Sequence, residues 1–285
     1  MLGGQRFGFS EKMLTTTRYA RTQRKNKKED HKMADYTPIY KFYEKKIKNC
    51  KKCKSSGNQL TRPWIGKEYH RGNPKIVFVG INMNNPGPED TDLAKFIDNH
   101  PKFLSMGLYG FMPRLVKQVF RLQEDDPRKL YEHFAFTNII KCSPGNDRSK
   151  PTNEMWNKCL YIKDEIELLK PEIIIALGSD SYAGLVERFI NQREELALSG
   201  ELQKHMTKIR MNDEVAFIIR VDHPSENRPI RTAKSRLAIV LEFINSESEA
   251  YKILSKINAR LEYFIAEQLI NKAVVAMKRP LSGRS

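Results

Sequence analysis

The chain has no long hydrophobic segment. Among its 285 residues, no apolar run approaches the ~18 residues that a helix needs to span a bilayer. The N-terminus also lacks the charged start, apolar stretch and small-residue cleavage site of a secretory signal. Internal repeats and low-complexity tracts are absent as well. These absences argue against membrane-spanning and repeat architectures, and we expect an intracellular monomer, cytoplasmic or nucleoid-associated, with no membrane partner.

Cysteine is scarce, and the four copies present are therefore informative. Cys50 and Cys53 form a C-x-x-C pair, whereas Cys142 and Cys159 stand alone far downstream. Thiols stay reduced inside cells, so disulfides are not expected. A zinc ribbon usually has two close pairs, thiolates also bind iron–sulfur clusters, and buried cysteines can be unrelated to any metal. We interpret the four as one thiolate site that ties the N-terminal segment to the middle of the fold.

Acidic residues are in deficit. The chain has 34 Asp/Glu against 50 Lys/Arg, a net charge of +16 and a pI near 9.6. Residues 1–49 carry 13 Lys/Arg and 5 Asp/Glu, so half of the surplus precedes Cys50. Such a surplus predicts a polyanionic partner, most simply nucleic acid. The alternative is that the basic ends are merely solvated and disordered.

The composition changes along the chain and predicts three segments. Residues 1–35 are polar and basic, which is typical of a disordered tail. Residues 36–245 form the folded domain. Residues 246–285 hold an amphipathic helix and a second basic tail; the helix is predicted from apolar residues at three-to-four spacing, Leu254, Ile257, Leu261 and Phe264.

Four short apolar segments within 36–245 predict strands, at 75–80, 134–140, 172–178 and 214–221. Helical patterns alternate with them, at 36–49, at 91–130 with a break around "GLYGFMP", at 153–169 after a Thr152 cap, and at 232–245. This alternation predicts an α/β fold with three α/β/α layers around a short, mainly parallel sheet of four strands.

Polar loops follow strands one, two and four. They contain Gly80 and Asn82, then Asn138, and finally His223. Ligands of parallel sheets bind beyond the carboxyl ends of the strands. We therefore expect these three loops to form a single site.

The motifs in order resemble those of the uracil-DNA glycosylase superfamily, in a layout closest to its iron–sulfur family 4. The resemblance covers residues 40–245 and rests on the C-x-x-C pair, "TNIIKC" (137–142), "SPGNDRSKP" (143–151), "PEIIIALG" (171–178) and "HPS" (223–225). It implies DNA as partner and a structural 4Fe-4S cluster, in preference to zinc, on Cys50, Cys53, Cys142 and Cys159.

The first motif departs from family 4, which reads "GEAPG". Here Ile81 follows Gly80, and "VGIN" resembles the "GINPG" of mismatch-specific uracil-DNA glycosylases. The later "NPGP" (85–88) resembles the single-strand-selective type. In those branches an asparagine two positions after the glycine positions the attacking water, which implies that role for Asn82.

The resemblance also implies roles for the other residues of the site. His223 would stabilise the departing uracil, Asn138 would read the base, and Gly80 would lie against it. Phe111 or Tyr109 would stack beneath the base, with core packing as the alternative for each. The loop after His223 would enter the duplex through Ser225, Asn227 and Arg228.

The function implied is a DNA glycosylase that removes uracil or a related deaminated base during base excision repair. Three alternatives stay open at this point. The first is a glycosylase for hypoxanthine or another modified base, and the second is a catalytically inactive DNA-binding relative. The third is a zinc-stabilised nucleic-acid-binding protein of other ancestry.

Overall fold

A computed structural model of the chain describes residues 37–48, 50–53, 62–82, 107–142, 151–196, 198, 200–222 and 261–278. Several sequence predictions concern segments outside these ranges: the basic tail over 1–35, the loops at 83–90 and 143–150, and the helix at 232–245. The loop residues His223, Ser225, Asn227 and Arg228 also lie outside the described residues.

The described residues form one mixed α/β arrangement. Its strands are β1 (Trp64–Ile65), β2 (Ile76–Gly80), β3 (Ala135–Asn138), β4 (Ile173–Leu177), β5 (Arg193–Glu194), β6 (Met206–Met211) and β7 (Glu214–Val221). Its α-helices are α1 (Thr37–Phe42), α2 (Gly107–Phe120), α3 (Pro127–Tyr131), α4 (Asn153–Lys158), α5 (Tyr161–Leu169), α6 (Ser179–Arg188), α7 (Gly200–Gln203) and α8 (Leu261–Lys278). A π-helical turn, Tyr43–Ile47, continues α1. None of the described helices has the length and apolar character needed to cross a bilayer.

The sheet has the strand order β1-β3-β2-β4-β7-β6-β5. Its centre, β3-β2-β4-β7, is parallel throughout and consists of the four predicted strands. The predicted sheet of four strands is nevertheless too small, since the described sheet has seven. The additional strands β1, β5 and β6 pair antiparallel at the two edges.

The edge strands were missed for a physical reason. β1 and β5 have two residues each, and β6 carries Lys208 and Arg210 between its apolar residues. An antiparallel strand at or next to the edge of a sheet can leave one face solvated, so it does not appear as a continuous apolar run. β6 becomes a strand through its pairing with β7 across a two-residue turn at Asn212 and Asp213.

Helices cover both faces of the sheet. Ile76 and Phe78 of β2 pack on one face with α2 and α8, whereas Val77 and Val79 pack on the other with α1, α5 and α6. Successive side chains of a strand point to opposite faces, so one buried strand contributes to both cores. In α8, five residues are fully buried in the first core: Ile265, Ala266, Leu269, Ile270 and Ala273.

Helix α2 begins at Gly107 and contains the whole "GLYGFMP" segment, so there is no break within that segment, and the helical pattern predicted up to residue 130 is interrupted after Phe120 instead. Pro113 lies inside the helix, where it cannot donate to the carbonyl four residues earlier. That carbonyl belongs to Tyr109, and the hydroxyl of Tyr131 donates to it at 2.8 Å. The hydrogen bond from a neighbouring helix therefore lets α2 continue past the proline.

The single helix predicted over 153–169 is also wrong, because it divides at Cys159. Thr152 does cap the first part, since its hydroxyl accepts from the Met155 amide at 3.2 Å. Cys159 then leaves the helical conformation, with φ −90° and ψ 85°. The Arg188 guanidinium donates to the carbonyls of Trp156 and Cys159 at 3.0 and 3.3 Å. These bonds satisfy carbonyl groups at the end of α4.

The hydroxyl of Tyr131 provides a test of how α2 tolerates its proline. Tyr131→Phe leaves the Tyr109 carbonyl without this donor, and we expect a loss of about 1–2 kcal/mol in the free energy of unfolding. In a Pro113→Ala background the new amide can donate to the same carbonyl, so the cost of Tyr131→Phe should fall by about 1 kcal/mol. Urea unfolding of the four proteins measures both values. Equal costs in the two backgrounds would show that the hydroxyl does not compensate for the proline.

Candidate active site and cysteine site

The carboxyl ends of the parallel strands lie at one edge of the sheet. Gly80 is paired in register with Asn138, and Leu177 at the end of β4 is paired with Val221. The pairing continues beyond the strands, since the Ile140 amide donates to the Ile81 carbonyl at 2.8 Å. Strands β2, β3 and β7 therefore end at a common edge of the sheet, which carries Asn82 and Asn138. His223 lies outside the described residues, so the single site formed by the three loops stays a prediction.

Asn138 is the most informative residue of this edge. Its side chain is 2% exposed, and its oxygen lies so close to Gly80 that a Cβ atom added to that glycine would overlap it. Its side-chain nitrogen has no hydrogen-bond partner among the described residues. An unpaired buried amide is costly, and such groups call for a specific explanation. A ligand that accepts a hydrogen bond from Asn138 would supply one.

Asn82 follows Gly80 by two residues at the same edge of the sheet. It is half-buried and follows Ile81, whose carbonyl is bonded to the strand segment that carries Asn138. The backbone thus holds the two asparagines at the ends of neighbouring strands.

The two aromatic candidates lie on α2. Phe111 is 2% exposed and packs within the core, whereas Tyr109 is only half-buried at the border of that core. Core packing is sufficient to explain the position of Phe111. Tyr109 keeps part of its side chain accessible, and its carbonyl holds the hydroxyl of Tyr131.

The four cysteines come together in one pocket, which Lys52, Lys158 and Tyr161 help to line. Cys50 is half-buried, and the other three are buried. Cys142 follows Asn138 by four residues, so the cysteine pocket and the candidate active site are adjacent along the chain. The structure thereby joins the segment after α1, the end of β3 and the break between α4 and α5.

Hydrogen-bond donors point at two of the sulfur atoms. The Lys141 amide donates to Cys159 Sγ at 3.3 Å, and the Tyr161 hydroxyl donates to Cys50 Sγ at 3.2 Å. The ammonium group of Lys52 lies 4.8 Å from the centre of the Tyr161 ring. Donors of this kind stabilise a thiolate that ligates a metal and adjust the electronic properties of the site.

Burial raises the pKa values of three of the four thiols. Burial raises the pKa of Cys142 to about 12, and the neighbouring Cys159 adds to the effect. Burial is also the largest cause of the raised pKa values of Cys53 and Cys159. A positively charged metal centre reverses this balance, because it stabilises coordinated thiolates.

Four thiols around one pocket are a donor set that either a zinc ion or an iron–sulfur cluster can use. Within the described part of the chain, no three His, Cys, Asp or Glu side chains are arranged to hold one metal ion. Tetrahedral zinc would need its sulfurs at about 2.3 Å from one common atom. A 4Fe-4S cluster would instead bind each of the four thiolates through a different iron atom.

Sequence reasoning missed a buried ion pair beside both sites. Lys141 and Glu165 have side chains only 1% and 0% exposed and form a direct salt bridge. Lys141 belongs to the "TNIIKC" segment, and a lysine directly after an apolar strand end was the available signal. Glu165 gave a weaker signal, since acidic residues are common in helices such as α5.

Comparison with known proteins agrees with this geometry. The model of the Uracil DNA glycosylase superfamily matches residues 67–241, more than half of the chain. Similar proteins named Type-4 uracil-DNA glycosylase include that of Sulfurisphaera tokodaii, 27% identical over 48% of this chain and 54% of its own. Those of Saccharolobus solfataricus and Archaeoglobus fulgidus are 28% and 30% identical, over 53% and 47% of this chain and 60% and 57% of their own.

The chain spans between half and two thirds of the length of these three relatives. The superfamily match covers strands β2 to β7 but not β1. It therefore includes the sheet edge that carries Gly80, Asn82 and Asn138. This chain belongs to the uracil-DNA glycosylase superfamily.

Proposed function

We propose that this protein is a DNA glycosylase that hydrolyses the bond between deoxyribose and uracil, or a related deaminated base, in base excision repair. The observation that carries the proposal is the buried carboxamide of Asn138, whose nitrogen has no partner among the described residues. The names of the relatives support uracil as the base. The net charge of +16 supports DNA as the substrate.

The Asn138 carboxamide can distinguish uracil from cytosine. An amide offers both a donor and an acceptor, which match O4 and N3–H of uracil; cytosine presents the opposite pattern at these positions. A base reaches such a pocket only after it has rotated out of the duplex. Tyr109 or Phe111 would stack against the flipped base, and Gly80 leaves the space that the carboxamide and the base need.

His223 and Asn82 would carry the chemical step. As the bond between C1′ and N1 breaks, uracil leaves with the electron pair and negative charge develops on O2. A hydrogen bond from His223 stabilises that charge. Asn82 orients a water molecule whose oxygen bonds to C1′, and the proton of that water passes to solvent because an amide is not a base. Ser225, Asn227 and Arg228 would occupy the gap in the duplex.

One observation favours a second candidate, an inactive DNA-binding relative. Ile81 occupies the position at which family 4 carries an acidic residue. The same departure leaves hypoxanthine or another modified base as a substrate class. Only a direct assay separates these functions.

We also propose that Cys50, Cys53, Cys142 and Cys159 bind a 4Fe-4S cluster. The cluster would supply a covalent connection between the N-terminal segment, the end of β3 and the break at Cys159. The chain would act as a monomer inside the cell, where its DNA substrate is found.

The function is tested by an abasic-site assay of the iron-loaded protein on oligonucleotides with U·G, U·A, single-stranded uracil and hypoxanthine. We expect cleavage of uracil substrates, and His223→Ala should lower the rate about 10²–10³-fold with near-unchanged DNA affinity. His133→Ala, on a half-buried histidine away from the sheet edge, is the control. Retained DNA binding without cleavage by the parent protein would instead support the inactive relative. If Glu89 or Asp90 proves essential while Asn82→Ala is harmless, the water-positioning role belongs to that pair.

Gly80→Ala tests the position of the Asn138 carboxamide. The added methyl group overlaps the side-chain oxygen, so Asn138 has to move, and we expect uracil excision to fall about 10²-fold. Gly200→Ala is the matched control, because a Cβ atom there meets no atom within 4 Å. Steady-state rates and melting temperatures of both variants are compared. Wild-type excision by Gly80→Ala would remove Asn138 from the proposed site.

Cys142→Ala tests the cluster. Cluster binding contributes to folding free energy, so iron content, absorbance near 400 nm and melting temperature should fall together. Val116→Ala, at a fully buried position on the opposite face of the sheet, should lower the melting temperature without lowering iron content. Stoichiometric zinc and no iron in protein purified without oxygen would contradict the assignment.

A further inference from the structure

Lys141 makes a set of contacts that neither the sheet nor the cysteine site requires. Its ammonium group donates to the Thr137 hydroxyl at 2.7 Å, to the Asn138 carbonyl and to the Glu165 carboxylate. The Thr137 hydroxyl in turn donates to the same Glu165 oxygen at 2.8 Å. All three donors of the ammonium group are therefore used.

The position of this network is as informative as its contacts. The main-chain amide of Lys141 donates to Cys159 Sγ, while the ammonium group of Lys141 donates to the carbonyl of Asn138. A single residue thus connects the cysteine pocket to the backbone of the asparagine that faces the candidate active site. Burial of a lysine and a glutamate is costly, and hydrophobic residues would fill the same space without that cost. The ion pair consequently has a role beyond filling the core.

We propose that Lys141 is a positioning residue for base recognition. It fixes the Asn138 carbonyl and so determines where the Asn138 carboxamide lies beside Gly80, its register partner on β2. The bond to the carbonyl is charge-assisted, and such bonds are short and strong. Because the carbonyl and the side chain of Asn138 share one Cα atom, loss of the clamp lets the backbone move and shifts the carboxamide relative to uracil. A displacement of about 1 Å in a reacting group can lower a rate about 10²-fold.

The inference rests on the proposed function, and the test separates the two. The double variant Lys141→Met/Glu165→Gln removes both buried charges together, so that neither is left unpaired. We expect it to fold and to keep its absorbance near 400 nm per protein. Inhibition by free uracil should weaken about 10-fold or more, and kcat for uracil excision should fall 10-to-100-fold. Affinity for duplex DNA that already contains an abasic site should stay within about 2-fold, since that complex lacks the base.

The matched control is Lys48→Met/Glu44→Gln. It changes the same residue types and charges in a salt bridge that is exposed to solvent, and it should leave all four measurements unchanged. Thr137→Val is a second test that keeps the buried charges and the side-chain shape. It removes only the hydroxyl between Lys141 and Glu165, and we expect a smaller loss in the same direction.

The outcomes are distinguishable. If the parent protein neither excises uracil nor is inhibited by it, the proposed function fails. Crystal structures of the parent and of Lys141→Met/Glu165→Gln then decide the positioning role, which a displaced Asn138 carboxamide supports and an unmoved one overturns. With an active parent, unchanged uracil inhibition and unchanged kcat in the double variant or in Thr137→Val overturn the role of Lys141. An equal loss of DNA affinity, cluster absorbance and uracil inhibition also overturns it, because that pattern indicates general destabilisation.

Discussion

The buried salt bridge between Lys141 and Glu165 holds the part of the fold on which both proposed sites depend. Removing two charges from water is expensive, and the attraction between them offsets that cost only when their remaining hydrogen-bonding capacity is largely satisfied. Lys141 meets this condition through Thr137 and the Asn138 carbonyl, whereas one oxygen of Glu165 has no hydrogen-bond partner among the described residues. The segment from Asn138, where β3 ends, to Cys142 is thereby held in a defined conformation.

Close packing at the sheet edge also depends on Gly80, because a glycine has no side chain. Gly80 and Asn138 are register partners on neighbouring parallel strands, and the Asn138 oxygen occupies space that any other residue at position 80 would fill. The hydrogen bonds continue past both strands to Ile81 and Ile140. A polar side chain is therefore buried here with its amide nitrogen unpaired among the described residues, and our proposal assigns that nitrogen to a flipped base.

The cysteine pocket brings together three segments that are distant in the sequence. Its sulfurs come from the segment after α1, the end of β3 and the interruption between α4 and α5. The interruption exposes carbonyl groups, and Arg188 satisfies two of them while its guanidinium lies 5.2 Å from the Trp156 ring. Burial alone disfavours the thiolate at Cys142, so the site is suited to a cation that compensates for several negative sulfurs at once.

The amino-acid sequence determined the central parallel strands and the common pocket of the four cysteines. Each was visible because it depends on local pattern: continuous apolar runs, strand ends and residue type. The edge strands and the course of α2 and α4–α5 were decided by tertiary structure. β6 exists through its pairing with β7, and α2 passes Pro113 because Tyr131 donates to a carbonyl that the proline leaves open. The partner of Lys141 was equally hidden, since Glu165 lies 24 residues away and only folding brings the two charges together.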